Sequence, residues 1–349
     1  MAKDIGIDLG TANVLIYVQG KGIVLNEPSV VAVDTKTNKV LAVGSEAYRM
    51  VGRTPTNIRA IRPLKNGVIS DFDVTQEMLS YFIGNLNVKG LVSKPNIMIC
   101  APTNITDIER KAIIQAAEQT GGGKVYLEYE PKVAAIGAGL DIFKPSGNMV
   151  IDMGGGTSDI AVLSLGDIVS SQSIRMAGDK LNQDIMAYIK SHNGLVIGEH
   201  TAEQIKMKIG SALPVDEPKT MAVRGRDVTS GMPKEIETDE NQIEEAMHDT
   251  LHTIINAAIE VLSTIQPELA ADIIDRGVML TGGTALLNGI DRLFSDHLKV
   301  PVIVSQDPLD NVAKGAGEML ERMQDENGQS GHRHGLFSRR SSEDDNAQN

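Results

Sequence analysis

The sequence is short of cysteine, of positive charge and of long apolar runs, and each shortage removes a class of protein. A single cysteine, Cys100, among 349 residues leaves no internal disulfide and no thiolate metal cluster, which fits a reducing compartment. Cys100 lies in Asn96-Ile-Met-Ile-Cys100, an apolar run where a buried strand residue is expected rather than a nucleophile. The 33 Lys and Arg stand against 46 Asp and Glu, a net charge of −13. That is the wrong sign for binding nucleic acid, whose phosphates call for clustered basic side chains; divalent cations and basic partners fit better. No run of about 18 apolar residues occurs, and the opening Met1-Ala-Lys-Asp-Ile-Gly-Ile-Asp8 lacks the apolar core of a signal peptide. The expectation is a cytoplasmic protein whose contact with a membrane is peripheral.

What is present is enough apolar material, 41% of residues, for the roughly two domains that the length suggests. An internal echo supports that division. Ile5-Gly-Ile-Asp8-Leu-Gly10-Thr11-Ala-Asn13 leads into the strand-like Val14-Leu-Ile-Tyr-Val18 and, past a glycine turn, Gly22-Ile-Val-Leu25. Met149-Val-Ile-Asp152-Met-Gly154-Gly155-Gly156-Thr157-Ser-Asp159 leads into Ile160-Ala-Val-Leu163 and, past another glycine turn, Asp167-Ile-Val169. Both copies read strand, Asp, Gly/Thr turn, strand, turn, strand.

Between and after the copies, helix and strand signals alternate in an α/β pattern. Thr106 and Glu109 form a capping box for a helix over 108–120, closed by Gly121-Gly122-Gly123. Residues 125–127 read as a strand, and Pro131 opens a small-residue helix. Thr201 with Gln204 reads as a second capping box, opening a helix through Ile209. Over 241–263 the positions Ile243, Met247, Leu251, Ile254, Ala258 and Leu262 make a helical stripe that must face a core. Residues 276–280 read as a strand, Gly282-Gly283 as a turn, and Ala285 onward as a helix. From 324 to 349 the composition turns to Gly, Ser, Asn and charge, which predicts a disordered tail.

An Asp at the end of an apolar strand, followed by Gly-Thr-Ala-Asn, puts a carboxylate beside open backbone N–H groups and a hydroxyl. That suits a cation-bound phosphate, although Asp-x-Gly alone is also an ordinary hairpin turn. The second copy tips the balance, because two such turns facing each other would grip a polyphosphate between two domains. A magnesium ion would sit near Asp8 and Asp152, largely through water. Neither copy fits a dinucleotide fingerprint, which needs a helix directly after its glycines, nor a P-loop, which needs Gly-Lys-Ser/Thr. A third element, Leu280-Thr281-Gly282-Gly283-Thr284-Ala285, could take the flat face of a base or ribose; close packing explains its glycines equally well. His248 and His252, at i and i+4, approach a zincin pattern without its Glu or a third ligand, so an exposed helix face is the better reading.

At this point the residues resemble the actin, heat-shock chaperone and sugar-kinase superfamily, and within it the bacterial actins of the MreB/Mbl family, over about 4–323. Asp8-Leu-Gly-Thr-Ala-Asn13 is similar to the phosphate-1 motif, Asp152-Met-Gly-Gly-Gly-Thr157 to phosphate-2, and Leu280-Thr-Gly-Gly283 to the adenosine motif. Glu130-Pro-Lys-Val-Ala-Ala-Ile-Gly-Ala-Gly139 and Val312-Ala-Lys-Gly315-Ala-Gly317 resemble the two connecting motifs at the interdomain hinge. Lys132, Val133, 176–180 and 272–276 lean toward the Mbl branch.

The resemblance implies an actin-like, duplicated ribonuclease-H-like α/β fold, two domains around a nucleotide cleft, each with an inserted subdomain. Domain I would cover 1–139 and domain II 140–323, with the chain crossing back near 311–323 and the tail following. It implies a slow ATPase coupled to polymerisation, with ATP and Mg²⁺ as cofactors. Glu130 and Asp152 would be catalytic, and Asp8 and Asp152 would position the metal. The nucleotide would lie against Gly10, Thr11, Ala12, Asn13, Val14, Gly154, Gly155, Gly156 and Thr157. On the adenosine side it would meet Glu203, Gln204, Ile205, Lys206, Gly282, Gly283, Thr284 and Ala285. Thr284 departs from the family's frequent third glycine. Many relatives attach to membrane through an N-terminal amphipathic helix; this chain begins almost directly with its first strand, so the expected anchor is the loop carrying Leu91 and Val92, which could equally pack on the domain. The implied partners are the chain itself in paired protofilaments, paralogous bacterial actins and cell-wall elongation membrane proteins, at the inner face of the cytoplasmic membrane and with no nucleic acid. The implied role is organising wall elongation and rod shape. The alternatives are a chaperone-like or small-molecule kinase ATPase of the same superfamily, the former expected to need a further peptide-binding domain, or an ATP-binding scaffold with negligible hydrolysis.

Overall fold

The computed structural model describes residues 3–86, 88 and 94–338, with side chains to 324. Leu91 and Val92, the expected membrane anchor, lie outside the described residues, as does 339–349.

The echo in the sequence is an echo in topology. In the first half, β1 (Ile5–Leu9), β2 (Asn13–Val18) and β3 (Gly22–Pro28) form an antiparallel meander. A small lobe follows, with β4 (Val31–Asp34), β5 (Val40–Val43), α1 (Ser45–Tyr48) and β6 (Ile58–Ile61), then a hairpin of β7 (Leu64–Lys65) and β8 (Val68–Ile69). The chain returns through α2 (Phe72–Gly84), β9 (Ile97–Ala101), α3 (Asp107–Gln119), β10 (Val125–Tyr129) and α4 (Glu130–Gly137). Strand β9 joins β1 in parallel and β10 joins β9 in parallel.

The second half repeats the plan with β11 (Asn148–Met153), β12 (Ser158–Ser164), β13 (Asp167–Ile174) and α5 (Gly178–Asn193). Its small lobe holds β14 (Leu195–Val196), α6 (Glu199–Ile209), β15 (Thr220–Asp227) and β16 (Pro233–Asp239). Then come α7 (Glu240–Thr264), α8 (Pro267–Arg276), β17 (Val278–Thr281), a 3-10 turn (Gly283–Leu286), α9 (Ile290–Leu298), β18 (Val302–Val304) and α10 (Asn311–Ser338). The sheet orders β3-β2-β1-β9-β10 and β13-β12-β11-β17-β18 match strand for strand in pairing direction, and each hairpin carries a bulge between its second and third strands.

Local chemistry explains most boundaries. The Thr106/Glu109 capping box is present, with Glu109 also accepting from the Thr106 N–H. The stripe on α7 is buried from Ile243 through Ala258, with Leu262 packed at its edge. Three expectations shift. Helix α6 starts at Glu199 behind Gly198, with no side-chain cap, so Thr201 lies inside the helix rather than at its start. The strand read over 276–280 is Val278–Thr281, because Arg276 ends α8. The tail expected to be disordered from 324 is helical as far as Ser338, since the strong helix formers from Glu318 to Gln324 carry α10 onward.

The two sheets meet through a shared core, with Met98 and Cys100 from one side, Val150, Ala161 and Leu163 from the other, and Val133, Ala134 and Ala316 of α4 and α10 between. Cys100 is buried, as the sequence implied, and burial holds its thiol well above its ordinary range. The helices α4 and α10 touch backbone to backbone. A Cβ on Gly137 would lie 2.0 Å from the Asn311 carbonyl oxygen, and one on Gly315 would lie 1.9 Å from that of Val133. No side chain can occupy either position without separating the helices, so the connecting motifs are rich in glycine and alanine.

The His248/His252 pair lies on α7, and α9 brings His297 beside it. Ring centroids are 4.2 Å apart for His248 and His252 and 4.8 Å for His252 and His297. Among the described residues no three His, Cys, Asp or Glu side chains are placed to hold a metal ion. Burial, then His248 and His297, hold the His252 pKa below its ordinary value, against smaller opposing effects of Asp249 and Glu244.

Gly315→Ala is expected to cost about 3 kcal/mol, toward the upper end for overpacking, read as a lowered urea midpoint. The lowered His252 pKa means that the folded chain binds fewer protons than the unfolded one. Its contribution is complete above the ordinary histidine pKa, near 6.5, and is lost as pH falls through and below that value. Denaturant midpoints at pH 7.5 and 5.5 should therefore differ less in His252→Gln than in the parent.

Candidate functional site

The corresponding hairpins of the two halves point their turns at each other. A Cβ on Gly155 would meet the Ala12 Cβ at 2.7 Å, and one on Gly156 would meet the Thr11 hydroxyl at 2.5 Å and the Asn66 backbone at 2.9 Å. Only glycine permits this approach of the second turn to the first. The 3-10 turn closes a third side. Gly282, at φ +82°, leaves no room for a Cβ against the Met153 carbonyl at 2.4 Å, and Thr284 donates its hydroxyl to the Gly154 carbonyl at 3.2 Å. Gly282 thus serves close packing, and with Gly283 and Thr284 it also lines the cavity between the turns.

That cavity has a volume of about 500 Å³, within the ordinary range for a small-molecule site. Of the residues expected from sequence, it gathers Asp8, Thr11, Ala12, Asn13, Glu130, Asp152, Gly154, Gly155, Gly156, Thr157, Glu203, Lys206, Gly282, Gly283 and Thr284. Five others do not line it. Gly10 packs against the Asn13 carbonyl of its own turn, and its carbonyl accepts from the Ser29 hydroxyl just past β3 at 2.6 Å. Val14, Ile205 and Ala285 are buried in the cores, on the far side of their strand, helix or turn. Gln204 is exposed, one position off the cavity-facing side of α6, and bonds to His200 at 3.0 Å.

The sequence reading missed several wall residues. Gly67 lines the cavity and donates its N–H to the Thr11 hydroxyl at 2.9 Å. Its signal was the dipeptide Asn66-Gly67, both at positive φ, the mark of a two-residue hairpin. Asp179, Met207, Leu286 and Leu309 also line it. The apolar members come from α6 (Met207), the 3-10 turn (Leu286) and the segment between β18 and α10 (Leu309), giving one end an apolar wall. Adding positions at i+3 and i+4 from Glu203 along α6 would have pointed to Met207.

The opposite end is acidic. Asp152 and Asp159 are directly paired across β11 and β12, 6% and 1% exposed. Glu130 opens α4 immediately after β10 and is 9% exposed. Burial pushes Asp8 up to about 7. Burial, then the Asp159, Asp8 and Asp152 charges, holds Glu130 well above the carboxylate range. Burial, then Asp8 and Asp159, does the same to Asp152. Among the described residues, no basic side chain figures among the charges acting on these three groups. Asp159 is tied to the first half, its carboxylate accepting from the Thr103 N–H at 3.1 Å. Lys206, from the other end, donates to the Gly178 carbonyl at 2.7 Å. Because these carboxylates are not placed to grip an ion three at a time, a small divalent cation would meet them largely through its own water shell.

Comparison with known proteins decides the family. The family model described as MreB/Mbl protein matches residues 2–328. The chain belongs to the MreB/Mbl family. The cell shape-determining protein Mbl of Bacillus subtilis (strain 168) is 62% identical over 322 residues, 92% of this chain and 97% of that protein. The crystal structure of MreB5 of Spiroplasma citri bound to ADP superposes with a TM-score of 0.89 at 39% identity, over 94% of this chain and 99% of that one. A MamK double helical filament shares the fold, with a TM-score of 0.77 at 19% identity, over 91% and 98% of the two chains. The actin-like fold expected of the MreB/Mbl family is therefore present.

Thr284, the departure from the family's third glycine, earns its place through the bond to Gly154. Thr284→Val keeps the shape and loses the donor, so it should lower the stability by about 1 kcal/mol. Thr284→Ser should restore most of the loss, with urea unfolding as the measurement.

Proposed function

We propose that the chain is an ATP-dependent, filament-forming bacterial actin that serves cell shape. The observation that carries this reading is the pair of Asp-Gly turns, one from each half, facing each other across an acidic floor beside an apolar-walled cavity. The family relation supports it: MreB5 is a protein solved with ADP bound, and Mbl is named for determining cell shape. In this reading the phosphates lie between Thr11–Asn13 and Gly154–Thr157, and the base lies toward Met207, Leu286 and Leu309. Asp8 and Asp152 would hold Mg²⁺ mainly through its water shell. When bound, the ion supplies the positive charge that these carboxylates lack and that phosphoryl transfer requires.

The chain's own residues then have separate tasks. Glu130, buried and above the ordinary carboxylate range, accepts a hydrogen bond from the attacking water and sets its direction. The N–H groups of the glycine turns hold phosphate oxygens in place, and the close approach of the two halves excludes bulk solvent. Because the site draws one turn from each half, an occupied site favours the closed arrangement, and hydrolysis changes that bias. The filament is the working form, paired and peripheral at the inner membrane face. Among the described residues no helix is long and apolar enough to cross a membrane, and Leu91 and Val92 are the side chains assigned to the lipid.

Sedimentation with Mg-ATP, Mg-ADP or no nucleotide, with and without anionic liposomes, tests this. ATP should drive the protein into the pellet and liposomes should lower the concentration required. Glu130→Ala should reduce phosphate release about a hundredfold while filaments persist. A protein that stays monomeric in every condition while turning over ATP would overturn the filament reading.

A further inference from the structure

Helix α6 does more than line the cavity. Its first two turns are held by the small lobe of the first half, through residues about 150 positions away in sequence. Arg62, just past β6, pairs with Glu199 at 2.9 Å. Tyr48, at the end of α1, donates its hydroxyl to the Glu203 carboxylate and lies 2.9 Å from His200 Nδ1. The Tyr48 and His200 rings meet edge to face with centroids 5.2 Å apart, and the Arg62 guanidinium stands 5.9 Å from the Tyr48 ring.

The hydrogen bonds have one consistent direction. Gln204 Nε2 can only donate, and it lies 3.0 Å from His200 Nε2, which must accept. A neutral His200 then carries its proton on Nδ1 and donates it to the Tyr48 oxygen. The Tyr48 proton is left for Glu203 alone. Burial and the Glu203 carboxylate raise the Tyr48 pKa further above its ordinary range, so the phenol stays a donor. One oxygen of Glu203 is thereby fixed by the first half, while the residue itself lines the cavity.

Building on the nucleotide reading above, we infer that Tyr48 and Arg62 form a two-point catch across the mouth of the cleft. In it Tyr48 is the positioning residue that aims Glu203 at a bound nucleoside, and the catch must open before the nucleotide leaves. The catch couples the separation of the two small lobes to one side chain of the site. It leaves phosphate chemistry to residues at the other end of the cavity.

The experiment follows release of a fluorescent ADP analogue from the full chain, with magnesium present, after a chase of unlabelled ATP. Tyr48→Phe keeps the ring and loses the donor, and should speed release about fivefold to tenfold. Arg62→Glu should do the same, and the exchanged pair Arg62→Glu with Glu199→Arg should return to within about twofold of the parent. Glu203→Ala should itself speed release, and adding Tyr48→Phe to it should change little, because Tyr48 acts through Glu203. Parent-like release in both Tyr48→Phe and Arg62→Glu would overturn the proposal, as would full additivity of Tyr48→Phe with Glu203→Ala for the positioning role. Hydrogen exchange of the nucleotide-free chain separates this from the underlying reading. Faster exchange in both 45–62 and α6 on Tyr48→Phe supports the catch, and unchanged exchange overturns it. Coupled exchange in a parent chain that takes up no analogue overturns the nucleotide reading and the positioning role together, and leaves a catch between lobes alone.

Discussion

The crossing of α4 and α10 sets the geometry of everything above it. With Gly137 against Asn311 and Gly315 against Val133, the helices lie as close as two backbones can, and the two sheets pack on their outer faces. The sheet separation fixes where the β1–β2 and β11–β12 turns arrive, and those turns line the cavity. Small residues in the connecting motifs are thus a distance specification. They act on the phosphate turns without touching them, through a core that transmits displacement because it is close-packed.

The second constraint is electrostatic and pulls the other way. Asp8, Glu130, Asp152 and Asp159 are gathered together, the last three buried and Asp8 partly so, and each is pushed toward its neutral form. A protein selected for stability alone would replace such a group with apolar residues or pair it with Arg and Lys. Retaining it carries a cost in the empty state, which a cation-bound anion would offset on arrival. On the proposed reading the floor and the glycine turns are complementary, charge from the strands and N–H groups from the turns.

The architecture was legible because it is written twice. Asp8 and Asp152 stand at the same point of the same strand-turn-strand unit, and the repeat predicted both the hairpins and their confrontation. Periodicity gave α7, and the Thr106/Glu109 capping box with its closing glycines gave α3, each to within a residue or two. Failures occurred where tertiary context outweighs local signals. Thr201 and Gln204 have the chemistry of a capping box, yet the helix starts earlier, where Glu199 and His200 can reach the other lobe. Motif boundaries carried over as blocks also overreached. Gln204, Ile205, Val14 and Ala285 neighbour true wall residues in sequence, but the turn of a helix or the alternation of a strand points them elsewhere. The contacts of Tyr48 and Arg62 left no sequence signal, since nothing local marks residues that meet partners far along the chain.

The Asn66–Gly67 turn is a small feature with a wider consequence. It belongs to the first half, bonded to Thr11, yet a Cβ on Gly67 would lie 2.6 Å from Pro102 and 3.0 Å from the Thr157 methyl of the second half. The turn is a shim between the halves, and its thickness is set by a missing side chain. Thickening it would press on Pro102 behind the turn and on Thr157 across from it, changing the spacing of the halves with no substitution at any carboxylate of the site. In this molecule the spacing of the halves is therefore a variable in its own right, one that can drift or be tuned separately from the groups that meet the ligand.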